Sequence, residues 1–181
     1  MYFLSDDFSS GNILYDGQPY YNVNLKYDIY NDVLVLKPEG NSDLIAVNII
    51  PEKTKSFFIK NRTFINLGYD RSTTQPDFIK GFYELNLVGK EFSFYIKYHK
   101  KMTERIHNNA LYSDFEDKNT FFINYQNTFH EINSQNDITK LFPQYKTQIK
   151  EFYAANGKLR SENETRFMEN IMKFINTLFL S

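Results

Sequence analysis

The chain contains no cysteine. That excludes disulfides, thiolate nucleophiles and cysteine-based zinc sites together. It says little about compartment, because large exported bacterial domains manage without disulfides. Tryptophan is also absent. No apolar run approaches the roughly 20 residues that a bilayer-spanning helix needs. Charge of one sign is lacking as well: the formal net charge is -1, which gives no reason to expect nucleic acid or another polyanion as partner. There is no phosphate loop, and no serine or threonine stands in a nucleophile-elbow setting.

What is present is aromatic. Phe and Tyr, 18 and 14 of them, make up 18% of the chain, and rings suit half-buried pleated surfaces. At 181 residues the chain fits one domain with a proper core. Val23, Leu25, Tyr27 and Ile29 alternate with Asn22, Asn24, Lys26 and Asp28, the period-two pattern of a strand with one wet face. Asp16-Gly17 and Asn31-Asp32 bracket this run with turn residues.

Strand signals continue over residues 33–36. They resume over 44–50, where Ile45-Ala46-Val47 and Ile49-Ile50 predict a strand covered on both faces. Residues 56–59 and 63–67 flank Lys60-Asn61-Arg62 as a tight hairpin, and 68–80 reads as a long loop. Residues 82–88 and 92–98 meet at Gly89-Lys90-Glu91, the best marked pairing of the chain. The polar stretch 100–119 is expected as a connection holding a short helix. Residues 120–125 and 129–132 then form a last hairpin. From Ile138 the apolar spacing becomes helical, with a break at Pro143 and a stop at Asn156-Gly157. Ser161-Glu162-Asn163-Glu164 has the form of a capping box, leading a final helix that packs Phe167, Ile171, Phe174 and Leu178. The expected fold class is α+β: an antiparallel, hairpin-built sheet, with a curled half-barrel as one form of it, followed by a C-terminal helical hairpin. The organisation is a single domain over 1–181, β over 1–133 and helical over 134–181.

The opening segment also bears on origin. Tyr2-Phe3-Leu4-Ser5-Asp6-Asp7-Phe8, Gly11-Asn12-Ile13-Leu14-Tyr15-Asp16-Gly17 and Val23-Asn24-Leu25-Lys26-Tyr27-Asp28 resemble a pattern shared by uncharacterised exported proteins of Bacteroidota. Gly81-Phe82-Tyr83-Glu84 and the segment from Leu141-Phe142 to Glu151-Phe152 are similar to later parts of that group. The resemblance rests on strands and turns and carries no catalytic residues. It implies export to the periplasm, the outer-membrane surface or the medium. Met1-Tyr2-Phe3-Leu4 runs straight into Ser5-Asp6-Asp7, so the leader of an exported precursor is expected to be missing from this sequence; the alternative is a cytoplasmic protein.

Few side chains offer chemistry. His99, His107 and His130 are the only histidines, and cations surround His99, opposing a metal site. Lys97, Lys100, Lys101 and Arg105 form the one basic cluster. With Tyr95 and Tyr98 they resemble a nucleic-acid stripe, but four charges are few and a solvated strand end explains them without a partner; a modest anionic contact, to a lipid head group or polysaccharide, is the alternative. Asp114, Glu116 and Asp117 lack the spacing and central glycine of a calcium loop. Asp28, Asp32 and Glu84 are the carboxylates to inspect for a spatially assembled glycosidase pair. Tyr20, Tyr21 and Tyr30 are the candidates for an exposed partner-binding patch.

The expectation is therefore a non-enzymatic envelope-associated or secreted module acting by contact with another such protein or a surface. No catalytic residue, cofactor or metal is assigned. The alternatives are a binding module for a small apolar ligand in a half-barrel, an enzyme with dispersed carboxylates, and an immunity-type inhibitor of a toxin.

Overall fold

The computed structural model describes residues 1–40, 45–69, 79–107 and 110–180. The fold is α+β, with twelve strands preceding four α-helices among the described residues. Ten strands lie in one sheet, β12-β11-β8-β7-β6-β5-β1-β2-β3-β4 in hydrogen-bonded order, and β9 and β10 pair apart from it. The order ends at β12 and β4 without joining them, so the sheet is not a closed barrel. Every strand pair whose register is defined is antiparallel. By their contacts the residues group into two compact units, Met1–Glu84 with Lys97–Lys118, and Leu85–Ile96 with Asn119–Ser181.

The first unit begins with β1 (Ser9–Tyr15) and β2 (Gln18–Asp28), joined at Asp16-Gly17. Both turn residues have positive φ, the type I′ geometry whose twist matches that of the flanking strands. The same solution recurs at Lys60-Asn61, between β5 (Thr54–Ile59) and β6 (Arg62–Asn66). Gly11 is obligatory for another reason: a Cβ there would overlap the Phe58 carbonyl oxygen, so β1 and β5 approach closely only with glycine. The inward side chains of β2 meet a ring cluster from β5, β6 and β7 (Phe82–Val88). Tyr27 packs edge-on against Phe57 and Phe64 at 5.2 and 5.1 Å, and Phe57 stacks on Phe64 at 4.7 Å. These rings are nearly solvent-free, and each tilted pair contributes about 0.5–1.5 kcal/mol beyond its area.

Two expectations for this unit are corrected. After β3 (Val33–Lys37), the apolar run 45–50 forms only β4 (Val47–Asn48), an edge strand whose Ile45, Val47 and Ile50 side chains are exposed. Continuous apolarity marks a buried strand only where layers cover both sheet faces, and at this edge, where β3 is the only neighbour among the described residues, Ile45, Val47 and Ile50 stay exposed. Among its described residues the stretch 100–119 contains no helix. It forms β9 (Lys100–His107) and β10 (Ala110–Asp117), paired in full register. The loop read at 68–80 lies largely outside the described residues.

In the second unit, β8 (Phe92–Lys97) neighbours both β7 and β11 (Thr120–Tyr125), and β12 (Thr128–Glu131) pairs with β11 across a type I′ turn at Gln126-Asn127. The β7–β8 hairpin forms as its alternation predicts, closed by Gly89 N–H donating to the Phe92 carbonyl at 2.9 Å. Ser134 caps α1 (Gln135–Leu141); a 3-10 turn at Pro143–Tyr145 supplies the break, and α2 (Lys146–Ala155) follows. The expected C-terminal helical region forms, divided among the described residues into four α-helices, and α3 (Gly157–Glu162) runs through the proposed capping box. The cap of α4 (Glu164–Leu178) is instead Asn163, whose side chain accepts from Arg166 N–H at 2.9 Å. The extended backbone at Asn163 leaves its amide free to cap; Ser161 is spent on the Lys158 carbonyl. Phe167, Met168, Ile171, Met172 and Ile175 of α4 are buried, while Phe174 stacks on Phe152 at 5.1 Å.

Candidate functional site

The chemistry-bearing side chains of the first unit converge on its core rather than on a cleft. Lys97 Nζ lies 2.5 Å from Asp32 Oδ2, with the ammonium side chain almost wholly buried. Tyr27 donates its hydroxyl to Asp32 Oδ1 at 2.5 Å, and Phe82 N–H approaches Oδ2 at 3.4 Å. The Lys97 cation also sits 5.0 Å from the Tyr83 ring centre. Burial pushes the Lys97 ammonium below its usual pKa, and the Asp32 carboxylate only partly opposes this. Burial and then Asp32 push the Tyr27 phenol well above its ordinary value. Gly81, at positive φ, lets this arrangement form, since a Cβ there would overlap Asp32 Oδ2 and crowd Lys97 Nζ.

A second buried carboxylate lies in the same unit. Glu84 accepts from Arg62 Nη1 at 2.6 Å on Oε1 and from the Tyr98 hydroxyl at 2.5 Å on Oε2. Asp28 is held below the usual carboxylate range: burial acts against this, but hydrogen bonds from the Asn31 side chain, the terminal ammonium and the Asn31 and Tyr30 amides prevail. Asp28, Asp32 and Glu84 are thus each engaged by donors of their own chain. His99 is lowered from its ordinary pKa by burial and then by the nearby Lys97 cation. Among the described residues no three His, Asp or Glu side chains converge as a metal site.

The basic cluster is divided. Lys97 turns inward to Asp32, whereas Lys100, Lys101 and Arg105 line β9 opposite an acidic β10. Lys100 pairs with Asp117 at 2.5 Å, Arg105 binds Asp114 through Nε at 2.6 Å, and Lys101 stands opposite Glu116. The ribbon largely offsets its own charge: Asp117 and Asp114 partner Lys100 and Arg105, and Glu116 binds Lys118 at 2.8 Å.

The alternation of β9 and β10 separates two faces. Lys101, Thr103 and Arg105 share one with Tyr112, Asp114 and Glu116. On the other, Met102 lies opposite Phe115 and Ile106 opposite Leu111, with Glu104 and Ser113 between them. These apolar side chains are left in solvent: Ile106 is 78% exposed and Leu111 63%, with Met102 and Phe115 near 40%. Tyr30 extends the patch, packing edge-on against Phe115 at 5.9 Å. Tyr20 and Tyr21 are exposed as well, but they sit near the start of β2 while Tyr30 follows its end. At about 3.3 Å per residue the two groups lie some 30 Å apart along the strand, so Tyr30 joins the β9–β10 ribbon and not the other two tyrosines.

The second unit holds a cleft of about 290 Å³, floored by Phe121, Ile132, Phe167 and Met168 and rimmed by residues 133–136 with Arg160 and Glu164. The Arg160 guanidinium lies 5.5 Å from the Tyr153 ring centre. Burial raises the Tyr153 hydroxyl to about 12.

Compared with protein-family models, curated proteins and solved structures, the chain matches none. The site therefore stands on its geometry alone. Among the described helices none is long and apolar enough to cross a membrane.

Proposed function

We propose that this protein acts by contact, as an exported envelope-associated or secreted module that engages another protein through the apolar face of β9–β10. The observation that carries this reading is the pair of exposed apolar cross-strand couples, Met102–Phe115 and Ile106–Leu111, on a ribbon whose opposite face is self-neutralised. Water-exposed Ile and Leu on a two-stranded ribbon add nothing to the core beneath, and contiguous exposed apolar side chains mark interaction surfaces. Burying such side chains against a partner is worth about 1.5–3 kcal/mol each, and the aromatic Tyr30 and Phe115 belong to the residue class that anchors interfaces. The carboxylates Asp32 and Glu84 support the same reading, because Lys97, Arg62 and the Tyr27 and Tyr98 hydroxyls already engage them. Export rests on the resemblance of the opening segment to exported proteins of Bacteroidota.

The reading is tested by affinity recovery from envelope fractions and culture medium, comparing the wild type with a variant carrying Ile106→Ser, Leu111→Ser and Phe115→Ser. These positions are exposed, so the variant is expected to keep its circular-dichroism spectrum and lose the specific partner. Equal recovery by a folded variant would refute the assignment of the face. Fractionation of cells making the protein from its full native reading frame tests export, and a wholly cytoplasmic distribution would contradict it.

A further inference from the structure

The ribbon presents an edge as well as a face. Among the described residues β10 pairs only with β9, so its outer backbone groups have no strand partner. We propose that a second copy of this chain takes that edge, β10 pairing antiparallel with β10 about a two-fold axis at Ser113; this deepens the contact reading above and rests on it. Two residues separate the closing pair His107–Ala110. In a two-residue hairpin the closing pair exchanges both hydrogen bonds, and every second pair after it does so too. Leu111, Ser113 and Phe115 of β10 therefore direct their N–H and C=O groups outward.

Centred on Ser113, the self-pairing sets these outward residues opposite one another. Leu111 meets Phe115 of the second copy, and the symmetry repeats the pair, while Tyr112 meets Asp114. Roughly six new backbone hydrogen bonds form, two for each bonded pair. No like charges face each other, and the apolar couples lie on the exposed apolar face. Other registers are worse. A centre at Asp114 sets two carboxylates directly opposite, which destabilises a pair of strands. A centre at Tyr112 leaves Leu111 against Ser113 and loses both apolar couples. The β9 edge rejects self-pairing in the same way: its central registers oppose Lys101 to Arg105, or Glu104 to Glu104. Charge and register together select the β10 edge and a single alignment.

The absence of cysteine makes the test clean. Bonded antiparallel pairs hold their Cα atoms about 5.5 Å apart, within the span of a disulfide. Under mild oxidation Ser113→Cys is expected to give a covalent dimer, and Glu104→Cys on β9 is expected to give none. In sedimentation the wild type should rise from 21.6 kDa toward twice that mass with concentration, while Leu111→Lys, at an exposed position, stays at the monomer mass with an unchanged melt. A wild type that remains monomeric up to its solubility limit overturns the proposal, as does crosslinking by Glu104→Cys and not by Ser113→Cys. A monomeric wild type whose partner recovery still depends on Ile106 and Phe115 would sink the self-pairing alone and leave the contact reading standing. A dimer that forms while recovery ignores the face would do the reverse.

Discussion

Replacing Asp32 with alanine removes the one carboxylate that meets Lys97 Nζ, at 2.5 Å. The ammonium would keep only a long contact to the Lys80 carbonyl at 3.4 Å and the Tyr83 ring. Breaking a fully buried pair costs about 3–5 kcal/mol. Because the Asp32 side chain retains 31% exposure, water reaches one end of the pair and the low end of that range, about 3 kcal/mol, applies at pH 7. At roughly 2–4 °C per kcal/mol for a chain of this size, the melting temperature should fall by about 6–12 °C. The sign of the pH dependence follows from Lys97. Its folded pKa lies below its unfolded value, so between the two the unfolded chain binds more protons and stability rises with pH. Losing Asp32 lowers the folded pKa further and extends that window downward, so the deficit of the variant should shrink as pH rises from 7 toward the ordinary lysine range. Adding Lys97→Met should restore much of the loss, since an apolar replacement of a buried pair is often neutral. Urea denaturation followed by circular dichroism across that range measures all of this. A loss below about 1 kcal/mol at pH 7 would refute the claim that Lys97 is a buried cation held by Asp32.

Gly81→Ala must overcome both a positive φ and an overlap with Asp32 and Lys97; a melt should show a loss above about 2 kcal/mol. Asn163→Ala should cost about 1 kcal/mol by removing the α4 cap, whereas Ser161→Ala, outside the cap, should leave the same melt nearly unchanged. In an alkaline ultraviolet titration, the Tyr153 component should ionise near 12 rather than 10 and vanish from the curve in Tyr153→Phe. Because its folded pKa is raised, the stability that Tyr153 contributes should persist below about pH 10 and be lost between about 10 and 12.

Much of the fold is legible in the chain because its hairpins carry local signals. Asp16-Gly17 and Lys60-Asn61 supply the positive φ of tight turns, and the pattern of 82–88 against 92–98 fixes a pairing by alternation alone. The failures arise where a signal depends on neighbours in space. Ile45-Ala46-Val47 reads as a buried strand, yet burial of both faces depends on covering layers that a local run does not encode, and Ile45 and Val47 stay exposed at the sheet edge. The β9–β10 ribbon reads as a polar connection because Glu104 and Ser113 interrupt its apolar face, stretching the spacing of Met102, Ile106, Leu111 and Phe115 from two residues to four or five. A usable clue was present: Lys100 and Lys101 mirror Asp117 and Glu116 about Asn108-Asn109, with Arg105 two positions from the mirror of Asp114, the charge arrangement of two strands that neutralise each other. Tyr30 was legible as an exposed ring, but its company was not, since Phe115 lies 85 positions away and only the ribbon brings it near. Lys97 similarly sits among surface lysines in sequence while its direction is set by the pleat of β8.

The central claim, that the apolar face of the ribbon is where this protein meets its partner, is tested most directly by site-specific photocrosslinking in living cells. A photoreactive residue is placed at Ile106 on the ribbon, and at Val88 of the second unit as an equally exposed apolar control. A discrete adduct is expected from position 106, whether with a second copy or with another protein, and none from position 88. Adducts from position 88 with none from position 106 would contradict the claim.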